Sequence, residues 1–198
     1  MVKTNMYYED NRDLEHDVQE LSVELLGMPM RFLTDAGVFS KSAIDYGSRV
    51  LLDNFQPIGQ TLLDVGCGYG PIGLTLSKKY KMPATLSDVN TRALDLAEKN
   101  AVKNAVTADF VISDSYSAIN GQFDNIVTNP PIRAGKEVVH EILCGAYEHL
   151  TVGGQLLAVL QKKQGAPSAQ KKMTEVFGNC EIVARNKGYY ILRSVKST

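Results

Sequence analysis

From residue 60 onward the apolar positions fall into short dense runs separated by stretches of helical period. TLLDVG (61–66), ATLSDV (84–89), DFVIS (109–113), DNIVTN (124–129) and GQLLAVLQ (154–161) are such runs. Near-continuous apolar runs of this length mark strands buried on both faces. Between them, Leu74, Leu76 and Tyr80 carry one helical stripe, and Ala93, Leu94, Ala97 and Ala101 a second. Asn90 stands where the second helix needs a cap. A further helix is expected around 136–150. Alternating strand and helix implies a parallel sheet covered on both faces. The chain ends differently, because EIVAR (181–185) and YYILRSV (189–195) flank Asn186-Lys187-Gly188, a hairpin signal. The expected fold is therefore α/β, a doubly wound seven-stranded, mainly parallel sheet with an antiparallel C-terminal hairpin. Upstream, 23–35 reads as two short strands turning near Gly27-Met28-Pro29. The run 41–55 places Ile44, Val50, Leu51, Leu52 and Phe55 at helical spacing.

Composition changes this picture little, but charge does. At 198 residues, 44% hydrophobic and 22% charged, the chain is of ordinary single-domain size and composition. Its three cysteines (Cys67, Cys144, Cys180) are widely spaced, with no CxxC pair. That pattern suits reduced thiols in an intracellular chain and offers no metal-site spacing. No signal peptide or membrane span is expected. The net charge of −1 argues against a polybasic coat for nucleic acid. It is nevertheless a sum of opposed regions. Residues 1–24 hold seven acids against Lys3 and Arg12, whereas residues 151–198 hold eight Lys/Arg against Glu175 and Glu181. The densest basic stretch, 161–172, carries Lys162, Lys163, Lys171 and Lys172 without an acid. Alone it reads equally as a solvated loop and helix face.

The strand–loop–helix segment DVGCGYGPIG (64–73) is the first chemical constellation. Gly66, Gly68 and Gly70 permit a tight turn and close approach of a ligand to backbone. The following helix start, with Pro71 in its first turn, can face an anionic group. Gly68-x-Gly70-x-x-Gly73 matches a dinucleotide fingerprint, but that match is weakly specific. Asp64 separates the alternatives. A carboxylate at this strand end repels a pyrophosphate and suits an ammonium, as in S-adenosylmethionine. Asp88 ends the next strand, where a carboxylate can accept from both ribose hydroxyls. Val89 adjoins it. Asp114 follows the third strand and either reaches an adenine amino group or is an ordinary loop acid. Cys67 reads as a small loop residue rather than a nucleophile.

TNPPIRAGK (128–136) carries the sharpest signal. Successive prolines make a stiff loop with acceptors and no amide donors at Pro130 and Pro131. The Asn129 side-chain oxygen and the Pro130 carbonyl can accept two N–H bonds from a single amino group. Those bonds draw a planar exocyclic nitrogen toward tetrahedral geometry and aim its lone pair.

Taken together, LDVGCGYGPIGL (63–74), LSDVN (86–90), FDNIVTNPPIRAGK (123–136) and GGQLLAVLQ (153–161) resemble the class I S-adenosylmethionine-dependent methyltransferases of the "methyltransferase small" group. The upstream TDAGVFS (34–40) and the Asp45-Tyr46-Gly47-Ser48 segment are similar to those of the bacterial small-subunit rRNA guanine-N2 methyltransferases. The resemblance implies a Rossmann-like sheet, S-adenosylmethionine as cofactor, and ribosomal RNA or the small ribosomal subunit as partner. It places Gly37, Val38, Phe39 and Ser40 over the cofactor and substrate side. Asp64, Gly66, Cys67, Gly68, Gly70, Asp88, Val89, Asp114 and Asn129 become candidate cofactor residues. Asn129, Pro130, Pro131 and Ile132 become the catalytic loop. Many amino methyltransferases carry Tyr or Phe at the position of Ile132, stacking on the target base; here Phe39 or apolar contact takes that part. Arg133, Lys136 and the four lysines of 161–172 are candidate phosphate contacts.

The resulting expectation is an acidic segment (1–30) packing on a methyltransferase domain (31–198) in the cytoplasm. The chain resembles the single-domain relatives, being too short for the extra N-terminal half of the two-domain ones. Its reaction would be methyl transfer to an exocyclic amine of an rRNA base, guanine N2 first among them. The alternatives are methylation of a protein glutamine at N5, nicotinamide-dependent redox chemistry, and a non-catalytic ribosome-associated binder of the same cofactor.

Overall fold

Strand β3 (Leu62–Val65) is buried along its whole length and organises the rest. Its alternating side chains serve two cores, because Leu62 lies in one apolar cluster and Leu63 and Val65 in the other. The computed structural model describes residue 8 and residues 15–198. β3 pairs in parallel with β4 (Ala84–Asp88) on one side and β6 (Phe123–Thr128) on the other. β5 (Ala108–Ile112), β7 (Leu150–Gln161), β8 (Glu181–Asn186) and β9 (Tyr189–Val195) complete a seven-stranded sheet of order β5-β4-β3-β6-β7-β9-β8. β9 runs antiparallel to both β7 and β8. This is the class I methyltransferase architecture expected from the sequence.

Helices α1 (Tyr46–Asp53), α2 (Pro71–Tyr80) and α3 (Thr91–Lys103) cover one face, with Val50, Leu74 and Leu94 against Leu62, Leu86 and Val127. Helices α4 (Lys136–His149) and α5 (Ala166–Phe177) cover the other, with Ile142 and Met173 against Leu63, Ile126 and Leu156. Asn90 caps α3 as its position implied, accepting from the Ala93 amide at 3.2 Å. The chain order reverses between β3 and β6, so their C-terminal ends open a crevice at the switch point.

Several boundaries differ from the sequence reading. The first hairpin consists of β1 (Gln19–Leu25) and β2 (Met28–Thr34), so its first strand begins four residues before Val23. Its turn is Leu26-Gly27, both at positive φ, with Met28 and Pro29 already inside β2. That mirror-image turn matches the strand twist, as does Lys187-Gly188 between β8 and β9. Residues 30 and 31 are neighbours within β2, and the hairpin docks on α3 through paired asparagines. Asn100 on α3 and Asn104 at its C-cap, one turn apart, bond to both the backbone N–H and C=O of Leu33 and Arg31 of β2, respectively. α1 begins at Tyr46 rather than near 41, because the Asp45 carboxylate caps it at the Ser48 amide. In 161–172 a short 3-10 turn (Lys162–Gln164) leads into α5, which buries Ala166, Ala169, Met173 and Phe177 beneath its polar face. The expectations that fall on residues 1–7 and 9–14 lie outside the described residues.

Helix α2 packs closely on β3 at Gly73. A Cβ at Gly73 would stand 2.9 Å from the Asp64 Oδ2 and 2.9 Å from Leu86 Cγ. Gly73→Ala should therefore destabilise the fold by about 1–3 kcal/mol through overpacking. A urea midpoint equal to that of the unsubstituted protein would show that α2 can retreat at no cost.

Candidate active site

At the C-terminal ends of β3, β4, β5 and β6 lies a cavity of about 360 Å³. It is within the range of small-molecule sites, about 300–1,000 Å³. Its walls bring together Phe39, Ser40, Asp64, Gly66, Cys67, Gly68, Asp88, Val89, Asp114, Asn129 and Pro131 from the sequence reading. Gly70 is the left-handed residue that starts α2 and sits just behind the wall. Tyr8, Asp45, Ser48, Tyr69, Ser113, Ser115 and Ala134 line it as well.

The β3–α2 loop is held by its own hydrogen bonds. The Gly66 and Cys67 amides both donate to the Ser87 carbonyl at 2.9 Å, and the Gly68 amide donates to Asp88 Oδ2 at 2.8 Å. The Gly73 amide donates to Asp64 Oδ2 at 2.8 Å. The amide donors expected to face an anion are thus largely engaged within the protein, which fixes the loop's shape. Asp64 is buried, and its Oδ1 has no hydrogen-bond partner among the described residues. Burial first, and the neighbouring Asp88 next in the same direction, push its pKa up to about 7 against the opposing Gly73 bond. The Ser115 hydroxyl, on the same cavity, is the other buried side-chain oxygen without a partner among the described residues. Orphaned buried acceptors and donors cost free energy unless a ligand satisfies them. An acceptor at Asp64 fits an ammonium group. Asp88 engages one oxygen with Gly68 and the other with Asn90, at 2.8 Å each. Two of a carboxylate's roughly four lone-pair sites remain for a diol. Burial and these two acids raise the Cys67 thiol well above its ordinary pKa, so it is no nucleophile at neutral pH.

Asn129 has partners that the sequence motif did not suggest. Its Nδ2 donates to Asp45 Oδ2 at 2.9 Å and to Ser48 Oγ at 3.0 Å. A carboxylate only accepts, so the amide must turn its NH₂ end toward α1. Oδ1 is then the end of the amide left to accept from a ligand. The same Asp45 oxygen caps α1, so the helix start and the Asn-Pro-Pro loop are registered by one atom. The spacing Asp45-x-x-Ser48, one helical turn, was the available signal.

The segment 34–45 is fastened over this side. Asn90 Nδ2 donates to the Gly37 carbonyl at 3.0 Å, and the Tyr69 hydroxyl to the Ser40 carbonyl at 3.3 Å. Buried Arg92 lies 3.6 Å from Asp35, which also accepts from His16 and from the Asp17 and Ala36 amides. Lys41 pairs with Asp17.

Not every candidate is placed here. Ile132 opens a 3-10 turn (Ile132–Ala134), packs against the α4/α5 core and does not line this cavity. It therefore does not take the stacking position that its place after Asn-Pro-Pro suggested; Phe39 and Tyr8 present the aromatic surface instead. Pro130 is buried behind the wall. Arg133 and Lys136 are exposed on the turn and at the start of α4. Lys162, Lys163 and Lys171 are exposed beyond the end of β7, while Lys172 pairs with Glu175 at 3.2 Å. Among the described residues no cluster of His, Cys, Asp and Glu could hold a metal, and no helix is long and apolar enough to cross a membrane.

The family model of the methyltransferase small domain matches residues 29–193. The chain belongs to this family. S-adenosylmethionine is its cofactor, and the orphaned Asp64 oxygen and the Asp88 carboxylate fit the ammonium and ribose of that molecule. The YbxB protein of Bacillus subtilis is 44% identical over 196 residues, covering 96% of this chain and 98% of that protein. Ribosomal RNA small subunit methyltransferase C of Erwinia tasmaniensis is 33% identical over 92% of this chain but only 52% of its own length. Among solved structures, the T. thermophilus 16S rRNA N2 G1207 methyltransferase in complex with AdoMet and guanosine superposes with a TM-score of 0.83 at 26% identity. It is matched over 90% of this chain and 50% of that one. The chain thus spans about half the length of these rRNA methyltransferase relatives.

Two outcomes follow from the site's electrostatics and polarity. Asp64 must be ionised to hold an ammonium, so S-adenosylmethionine affinity should fall by up to about tenfold between pH 7 and pH 6. Stability of the ligand-free protein has the opposite sense. A raised acid pKa contributes stability in acid that is lost as pH rises toward 7. Calorimetric titration at several pH values checks the first; a flat affinity profile from pH 6 to 7 removes the assignment. Asp45→Ala should lower kcat about tenfold or more with cofactor affinity unchanged, since it frees the Asn129 amide to rotate. Asp45→Asn, which keeps an acceptor for both bonds, should recover most of that loss. Equal losses in the two variants would mean that amide polarity is not what Asp45 controls.

Proposed function

We propose that this chain methylates an exocyclic amino group of a base in small-subunit rRNA, guanine N2 being the best fit, and that it works in the cytoplasm. The observation that carries this reading is the polarity of Asn129. Its NH₂ end is held by Asp45 and Ser48, which leaves an oxygen acceptor on the cavity wall beside the stiff Pro130-Pro131 backbone. An acceptor oxygen at that place suits an N–H donor such as an exocyclic amine.

When bound, S-adenosylmethionine supplies a methyl group already activated by its sulfonium. Asp64 and Asp88 hold and orient it from β3 and β4. Asn129 Oδ1 accepts an amine hydrogen and draws the nitrogen lone pair out of conjugation. No strong base is required before attack, and among the described residues no histidine lines the site. Phe39, large, apolar and 39% exposed at the cavity, gives a target base a surface to lie on. The base must leave its stack to arrive there. Helical RNA hides base edges, so a loop or a partly assembled subunit is the suitable form of substrate. The basic C-terminal third, including Lys162, Lys163 and Lys171, supplies the phosphate attraction. Support comes also from the similarity to ribosomal RNA small subunit methyltransferase C and to the 16S rRNA N2 methyltransferase structure.

The test is a tritiated-methyl transfer assay that offers free rRNA, small subunits and a peptide release factor, followed by nucleoside analysis. Label in N2-methylguanosine is expected, and Asn129→Ala should cut kcat by about 10²-fold or more with little change in cofactor affinity. Label confined to the release factor would move the acceptor to a protein glutamine. Near-normal turnover in Asn129→Ala would remove the acceptor role.

A further inference from the structure

A second cavity, of about 220 Å³, lies on the other side of the Asn-Pro-Pro turn. The two share that turn as a wall: Pro131 and Ala134 face the main cavity, and Ile132, between them in sequence, faces the second. Its apolar surface is Ile132, Val139 and Leu160, and its polar surface is Lys136, His140, Gln164 and Ser168. Among the described residues no carboxylate lines it. Lys172 adds positive charge nearby, though Glu175 is close to it. Burial, Lys136 and Lys172 together hold the His140 pKa below its ordinary value against Glu175, so the imidazole is neutral at pH 7. It sits 3.3 Å from the Ser168 hydroxyl, giving a pair that can both donate and accept. The α5 N-terminus at Gly165 carries no side-chain cap and borders the same space.

We propose that this cavity is a subsite for one nucleotide flanking the methylated base, its base against Ile132, Val139 and Leu160 and its phosphate toward Lys136. The inference rests on the RNA reading above. Charge decides the occupant, because a cavity with a lysine and no acid on its wall suits a polyanion rather than a peptide of mixed charge. Size agrees, since the volume is below that of typical whole-ligand sites and suits a single base. Position agrees as well. A strand crossing the turn with its target base in the main cavity brings the adjacent base to Ile132, which explains an apolar residue where stacking on the target was expected.

The subsite predicts that recognition depends on a neighbour of the target, and an RNA oligonucleotide series tests this with the full chain. Replacing the correct flanking nucleotide by an abasic one should raise KM at least tenfold for the unsubstituted protein, with kcat nearly constant. Ser168→Trp, which fills the cavity, should raise KM on intact RNA by a similar factor and lose the response to the abasic site. Its S-adenosylmethionine affinity, set in the main cavity, should stay at the level of the unsubstituted protein and shows that the variant is folded. Equal KM for intact and abasic RNA on both flanks overturns the subsite without any variant. So does a folded, cofactor-binding Ser168→Trp protein whose KM is unchanged. Failure of the unsubstituted protein to methylate any RNA would instead sink the parent reading, and the subsite with it.

Discussion

The contact between the Asp64 carboxylate and the Gly73 amide sets the geometry on which this protein depends. It ties the first turn of α2 to the end of the most buried strand and requires a residue without a side chain at 73. One carboxylate oxygen is thereby fixed, and the other is left facing the cavity without a partner among the described residues. A packing constraint and a ligand site are consequently one object. A buried acid with half its capacity unmet is unfavourable by itself, and the fold tolerates it because the surrounding β3, β4 and α2 are densely packed.

The acceptor side is built by a different device. Asn129 lies on the far wall, and its orientation comes from α1, an element more than 70 residues earlier in sequence. An amide is nearly symmetric in shape but opposite in hydrogen-bonding at its two ends, so position alone does not define its chemistry. The carboxylate of Asp45 removes the ambiguity, because it accepts and cannot donate. Since Asp45 also caps α1, a shift of that helix would move the cap and the Asn129 amide together. Asn90 works similarly on the other side, capping α3 with its oxygen and holding the Gly37 carbonyl with its nitrogen.

Electrostatics divides the molecule. The acidic start of the described chain is fastened to the cofactor side through Asp35, Arg92, His16 and Lys41. The basic residues gather beyond the end of β7 and along α5, beside the acceptor loop. A near-zero net charge is the sum of these regions, so it carries no information about a polyanionic partner.

Much of the fold was legible in sequence because its causes are local. Buried parallel strands require apolar runs, glycines at 66, 68 and 70 require positive φ, and Asn90 caps the helix it precedes; each leaves a mark within a few residues. The acids at strand ends were legible for the same reason. What tertiary structure alone decided are relations between distant elements. The Asp45–Asn129 bond, the docking of β2 by Asn100 and Asn104, and the presence of Tyr8 on the cavity wall join residues dozens of positions apart. Ile132 shows the limit from the other direction. Its neighbours in sequence line the main cavity, yet a single 3-10 turn places its side chain on the opposite side of that loop, and no local pattern distinguishes the two faces before the helices pack.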